Sequence, residues 1–353
     1  MRPSLFRSVR PELERRAGEG GWRARFARFI MACATCAVAV PAGDLAARQS
    51  SGGGGLTPAT ECCLVLLIPV GAQSVALGRA TTSATTPDAV FGNPAGVAGL
   101  EGSHFVVHHS SMITQASAFS LLFTPSGVGT VGLSYELVDE EEIEQTDEQG
   151  RTIGAVTLRH HVLVGTFGTT LASWLSAGIN YKFYQMRIGC RGTCEDLQIA
   201  ATTHAVDVGI RIHPERIPGL RLGATASNMG FPLQVINAKQ ADPLPVRLRL
   251  GMAYEVLRHL QPVEDIELWW AVEVIENWND RGAPTASVGV ELAARDAVFL
   301  RAGYVPGEGL GTGAAIGIGV HYDRITVSVS RSFASSLLET AEDPVQFSLG
   351  LRF

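Results

Sequence analysis

From Ser103 to Phe353 apolar residues recur at every second position between clusters of Gly, Pro, Asn and Asp, and no stretch sustains an i, i+3, i+4 pattern. The period of two predicts about fourteen strands, near 103–110, 115–123, 127–137, 155–168, 174–186, 201–213, 220–228, 246–256, 265–276, 284–294, 297–305, 313–322, 325–332 and 345–353. In the ninth, Ile266, Leu268, Trp270, Val272 and Val274 oppose Asp265, Glu267, Ala271 and Glu273. In the eighth, Val246, Leu248, Leu250, Met252 and Tyr254 oppose Arg247, Arg249, Gly251, Ala253 and Glu255. Charged groups on one face of neighbouring strands are costly in a dry sandwich core, and a continuous apolar face in water invites association. Lipid outside and a polar lumen inside suit both faces, and closure satisfies every backbone group, as hydrocarbon requires. Arg247, Arg249, Glu255, Glu267 and Glu273 are then lumen-facing. Pairing across residues 257–264 with numbers summing to about 522 sets Arg249 beside Glu273, with Glu255 near Glu267.

The connections sort by parity. Those after odd-numbered strands are long, such as 138–154, 187–200, 229–245 and 333–344, while those after even-numbered strands are short, such as 124–126, 295–296 and 323–324. A sandwich has no reason to sort its loops this way, whereas an outer-membrane barrel has long external loops and short periplasmic turns. The expected fold is all-β: a transmembrane antiparallel β-barrel of about fourteen strands with a short N-terminal plug.

Composition narrows the class. With 46% hydrophobic and 18% charged residues the chain has ample apolar surface to bury, and a net charge of −6 argues against nucleic acid as partner. No apolar run reaches the length of a helical span. Arg23, Arg25 and Arg28 precede an apolar stretch, Phe29 to Val40, and Val40-Pro41-Ala42 offers small residues for cleavage, the order of a secretory signal peptide. The expected organisation is an N-terminal extension and signal peptide over 1–42, a Gly/Ser linker over 43–61, a plug over 62–102 and the barrel over 103–353. These features expect an outer membrane of the Gram-negative type, with its lipid as the surroundings.

No enzyme motif is present, and no cofactor or metal is expected. Gly309-Leu310-Gly311-Thr312-Gly313 joins two strands and opens no helix, so it is not a phosphate cradle. His108-His109 and His160-His161 are neighbours in strands, so the members of each pair point to opposite faces and cannot share one ion. Cys190 and Cys194 lie three residues apart in an expected external loop, where an oxidising compartment favours a disulfide over zinc. Cys62 and Cys63 are vicinal, and the sequence leaves their redox state open.

Before the first strand stands Asn93-Pro94-Ala95-Gly96. Pro94 fixes φ and biases Asn93 away from the helical region, the Asn side chain can bond a nearby backbone group, and Gly96 allows tight turning, so the motif reads as a turn that folds the plug toward the wall. Together with Leu66-Leu67-Ile68-Pro69-Val70-Gly71, Asn228-Met229-Gly230 and Leu244-Pro245-Val246-Arg247-Leu248-Arg249-Leu250-Gly251, this motif resembles PorV/PorQ-type proteins, a branch of the FadL-like fourteen-stranded barrels. The resemblance spans about Leu64 to Phe353; it departs at Thr81 to Thr86, where relatives carry Ala-Asp-Asp. The last strand, with Val345, Phe347, Leu349, Leu351 and the terminal Phe353 alternating with polar residues, resembles the signal read by the barrel-assembly machinery. The PorV-type resemblance implies a non-enzymatic barrel that accompanies secreted protein cargo or a translocon of the type IX kind. The wider FadL-like group implies the alternative, a channel for hydrophobic small molecules.

Overall fold

The computed structural model describes residues 61–353 apart from 112–114, 141, 193–198, 237, 261–264, 280–281, 308–311 and 334–343. The expected signal peptide and most of the linker lie outside these residues, as does Cys194. The strands are β1 (His104–Ser111), β2 (Gln115–Phe123), β3 (Thr130–Asp139), β4 (Ile143–Thr146), β5 (Thr152–Ala172), β6 (Leu175–Gly192), β7 (Ile199–Ile212), β8 (Leu220–Gly230), β9 (Arg247–Glu255), β10 (Ile266–Asn277), β11 (Thr285–Ala294), β12 (Val298–Val305), β13 (Gly313–Tyr322), β14 (Ile325–Phe333) and β15 (Val345–Arg352). All except β4 join one closed antiparallel barrel of fourteen strands: β1 pairs with β15, and β3 pairs with β5 past the short β4. No described helix is long and apolar enough to cross a membrane.

The wall alternates as a two-solvent structure demands. In β15 Phe347, Leu349 and Leu351 face out while Gln346 and Ser348 are buried in the lumen. In β10 Trp269, Ala271 and Glu273 face in and Val274 faces out. Large apolar side chains exposed round the whole circumference would force association in water and are at rest in lipid. The terminal residue belongs to this outer girdle. Phe353 stacks edge-on with Phe123, with 6.2 Å between ring centroids, and exchanges backbone hydrogen bonds with Ser103. Deleting Phe353 removes the apolar end of the strand that closes the barrel against β1, so we expect less inserted protein, measured as the heat-modifiable band on gels. Normal insertion of the truncated chain would deny it any assembly role.

Two features differ from the expected strand pattern. First, β5 and β6 run well past the rim, and Thr152–Leu158 pair with β4 and β6 as a three-stranded arm. Seven extended residues carry it about 20 Å beyond the barrel. Ile143–Thr146 and residues 152–154, within the expected 138–154 connection, are strand here; outside the barrel no lipid face imposes an apolar alternation on them. The ion pairs of that connection, Asp139 with Arg159 at 3.0 Å and Glu142 with Arg191 at 2.9 Å, are exposed and add little stability. Secondly, β9 and β10 pair with Glu273 opposite Gly251 and Ile275 opposite Arg249, two residues from the expected register. A short helix at Leu257–Leu260 and a left-handed Asp265 (φ 67°) take up the difference. A slip of two leaves every side chain on its own face.

Candidate functional site

The lumen is occupied by the chain itself. Residues 61–102 enter at the long-loop end, where the Glu61 carboxylate accepts from Arg247 at 2.7 and 3.0 Å and from Asn279 at 2.9 Å. Burial opposes the charge on Glu61, but these donors outweigh it and hold its carboxyl below the usual carboxylate range. The segment leaves at the short-turn end through the Ser103–Phe353 backbone pair. Between these anchors it winds along the inner wall in short turns: 3-10 turns at Leu64–Leu67, Pro87–Phe91 and Pro94–Val97, and a helical turn at Ala72–Ala76.

Its path is matched by glycines of the wall. Ala76 lies against Gly317 of β13, Leu77 and Gly78 against Gly289 of β11 and Gly303 of β12, and Thr82 against Gly223 of β8 and Gly251 of β9. Farther round, Asn93 and Pro94 lie against Gly209 of β7 and Gly178 of β6, and Val97 against Gly168 of β5. At each of these eight positions a methyl group would overlap the plug, in most cases its backbone. Several are direct register partners, such as Gly168 with Gly178, Gly178 with Gly209, and Gly289 with Gly303. Absent side chains, rather than present ones, form the seat.

Asn93 is 2% exposed. Its side chain accepts from Ala95 N at 3.1 Å and donates to Thr82 O at 2.7 Å and to Ile210 O of β7 at 3.0 Å, binding two parts of the plug to the wall. Pro94, Ala95 and Gly96 are buried in the turn that follows. Gly96 approaches Ala84 O and Ala89 too closely for any side chain.

Arg247, Arg249, Glu255, Glu267 and Glu273 all sit on inward positions of β9 and β10, yet they do not form one cluster. Arg247 serves Glu61, Glu255 is 3.6 Å from Arg258, and Glu267 accepts from Trp269 Nε1 at 3.1 Å. Glu273 accepts from Thr82 N at 3.0 Å and lies 3.7 Å from Arg249, a diagonal contact across the shifted register. Thr82, in the Thr/Ser-rich stretch Thr81–Thr86, is therefore a plug-to-wall contact. Cys190 is disulfide-bonded, while its expected partner Cys194 lies outside the described residues. Cys62 and Cys63 form a vicinal disulfide at the mouth.

Two buried networks escaped the sequence analysis. Arg301 donates to Glu291 at 2.7 Å. Lys182 lies 2.8 Å from Asp207 and donates to Asn228, whose backbone N donates to the same Asp207 at 2.8 Å. Asn228, at φ 60°, sits in the bulge where the β7–β8 register slips, so Asn228-Met229-Gly230 is a wall irregularity pinned by charge. The Arg301–Glu291 pair was within reach of sequence reasoning, because a three-residue turn after Ala294 puts these residues opposite each other.

At its centre the coiled plug leaves a small recess of about 30 Å³, partly open to solvent. Leu66, Ile68, Val70 and Phe91 give it an apolar side; Arg79 and Arg249, mutually repelling cations, give it a polar one. Near the mouth, Leu66 and Ile68 also pack with Val65, Leu233, Tyr184 and the Cys62–Cys63 disulfide.

A family model described as an uncharacterised protein family, UPF0164, matches residues 36–353. The chain belongs to UPF0164. Among solved structures, this UPF0164 member is similar to the P. putida toluene transporter TodX, at 13% identity and a TM-score of 0.52 over 80% of this chain and 98% of that one. It is also similar to the Ralstonia pickettii toluene transporter TbuX, at 12% identity and a TM-score of 0.51 over 80% and 98%. The CymD monoaromatic hydrocarbon channel matches at 11% and 0.55 over 81% and 98%. No curated protein matches by sequence. At these identities the likeness is one of fold. It shows a shared β-barrel fold and does not reach the PorV/PorQ part of the expected resemblance.

Proposed function

We propose that this barrel resides in an outer membrane and takes up or exports small hydrophobic molecules, without catalysis. One observation carries the reading: the lumen is filled by a plug whose coil surrounds a recess with an apolar side. A porin for hydrophilic solutes has a water-filled channel; here a solute must pass by way of the plug, and the recess lining favours an apolar one. The solved structures of similar fold support the same class, since they are described as toluene transporters and a hydrocarbon channel.

Toluene and a naphthyl fluorophore are suitable probes, read by tryptophan fluorescence of the purified protein. Ile68→Asp places a charge in the apolar lining, and we expect it to weaken binding at least tenfold, about 1.4 kcal/mol. Accompaniment of secreted proteins is the second reading, favoured by Phe231 and Ile236, which are 72% and 79% exposed on the segment after β8. If neither probe binds, and crosslinked membranes yield secreted proteins attached through this segment, the secretion role replaces the transport one.

A further inference from the structure

On β1–β3 one register row reads His108, Ala118, Glu136, so a histidine and a glutamate flank an alanine with all three facing the lumen. Over Ala118 lies a small cavity, covered by Ile68–Gly71 of the plug and bordered by Ser110, Glu136 and Gln346. Glu136 is 5% exposed, and its Oε1 has no hydrogen-bond partner among the described residues. The Ser110 hydroxyl has none either, nor do Ser120 and Ser134, register partners one inward position toward the short-turn end. His108 does not answer Glu136. Its Nδ1 is bonded to Ser348 Oγ at 2.8 Å, and its Nε2 is turned to Asp88 at 3.5 Å. Lys182 is engaged by Asp207 and Asn228, and β5 separates its strand from that of Glu136.

A buried carboxylate without a partner costs several kcal/mol and is retained only with a compensating charge or a bound proton. A bound proton lets Glu136 satisfy one neighbour and leaves the other hydroxyls as they were. A cation in the cavity satisfies the carboxylate and the Ser110 oxygen together. We propose that this cavity binds a small monovalent cation, with Glu136 as its charged ligand and Ser110 as a neutral oxygen ligand. Three features select that occupant. The donors are hard oxygens, one carboxylate balances one charge where calcium calls for more ligands and more charge, and the space takes an occupant about the size of a water molecule. The cavity is a volume distinct from the recess inside the plug, with Ile68, Pro69 and Val70 as the shared partition.

The test is unfolding of the full-length protein in detergent, in sodium chloride against N-methylglucamine chloride at equal ionic strength and pH. N-Methylglucamine is too large to enter. Wild type should gain stability with sodium alone, approaching about 1.4 kcal/mol for each tenfold rise above the dissociation constant. Glu136→Gln should remove the sodium response, and Ser110→Ala, which keeps the charge, should shift it to about tenfold higher sodium. If Glu136→Gln fails to fold, the comparison of wild type with Ser110→Ala decides. Equal responses to both salts would overturn the site. So would stabilisation by acid with no difference between the cations, which would make Glu136 simply protonated.

Discussion

Valine at Gly178 or at Gly303 is expected to turn a closed barrel into a conducting one. At Gly178 even a single carbon would overlap the carbonyl of Pro94, and at Gly303 the amide of Gly78 and the carbonyl carbon of Leu77. These obstacles are backbone, so no rotamer change relieves them, and overpacking of this kind costs about 1–3 kcal/mol or more where the surroundings cannot shift. The wall is held by continuous ladders on both sides of each glycine, whereas the plug is held by short turns and single hydrogen bonds. The cheaper response is for the plug to leave its seat while the strands stay paired. In planar bilayers wild type should be silent and either valine variant should show open-channel steps, with little change in the unfolding midpoint. Gly350→Ala is the inward-facing control, since its new methyl meets only ordinary contacts at 3.8 Å and should leave the barrel silent. Folded valine variants that remain closed would show that the glycines do not seat the plug.

Glu291→Ala is expected to be the most destabilising single side-chain truncation in the wall. Arg301 and Glu291 are 1% and 0% exposed, directly opposed in register and 2.7 Å apart. Removing the carboxylate strands a guanidinium beside the Phe299 ring, and breaking such a pair costs about 3–5 kcal/mol. The pair's own contribution is smaller, since removing both charges at once is often close to neutral. Glu291→Leu with Arg301→Met should therefore recover most of the loss, and urea unfolding of the two singles and the double closes the cycle. A single-mutant cost below about 1 kcal/mol would mean that water reaches the pair, as at a surface bridge. Arg249 and Glu273 should behave in the same direction with a smaller cost, because Arg249 is the more exposed partner and their contact is longer.

The strand limits were legible because lipid and lumen impose opposite chemistry on alternate residues, which Ile266 to Val274 display without interruption. The arm of β4, β5 and β6 was not, because beyond the barrel no lipid face imposes an apolar alternation on it. The β9–β10 register was misplaced by two, since nothing before the structure showed that Leu257–Leu260 coils into a helical turn. The inward side of Arg249 and Glu273 was legible from alternation alone, while their bonding to the plug was not, because the plug follows the wall and has no period of its own. Gly178, Gly209, Gly223 and Gly303 were the least legible of all. In a strand sequence a glycine reads as a weak point or a bend, and only the opposing segment shows that the missing side chain is the contact.

The plug enters beside Arg247 at one end of the barrel and leaves beside Phe353 at the other, so the chain is threaded through a ring made of its own strands. A ring cannot be threaded after its clasp is shut by a chain that is continuous with the clasp, unless a free end is passed through. The β1–β15 seam is that clasp, and β1 begins directly after the plug. The seam therefore closes round a segment already lying inside, or else every residue ahead of Glu61 travels the length of the lumen. Bulky cargo fused ahead of Glu61 would separate these two orders of assembly, blocking the second and sparing the first.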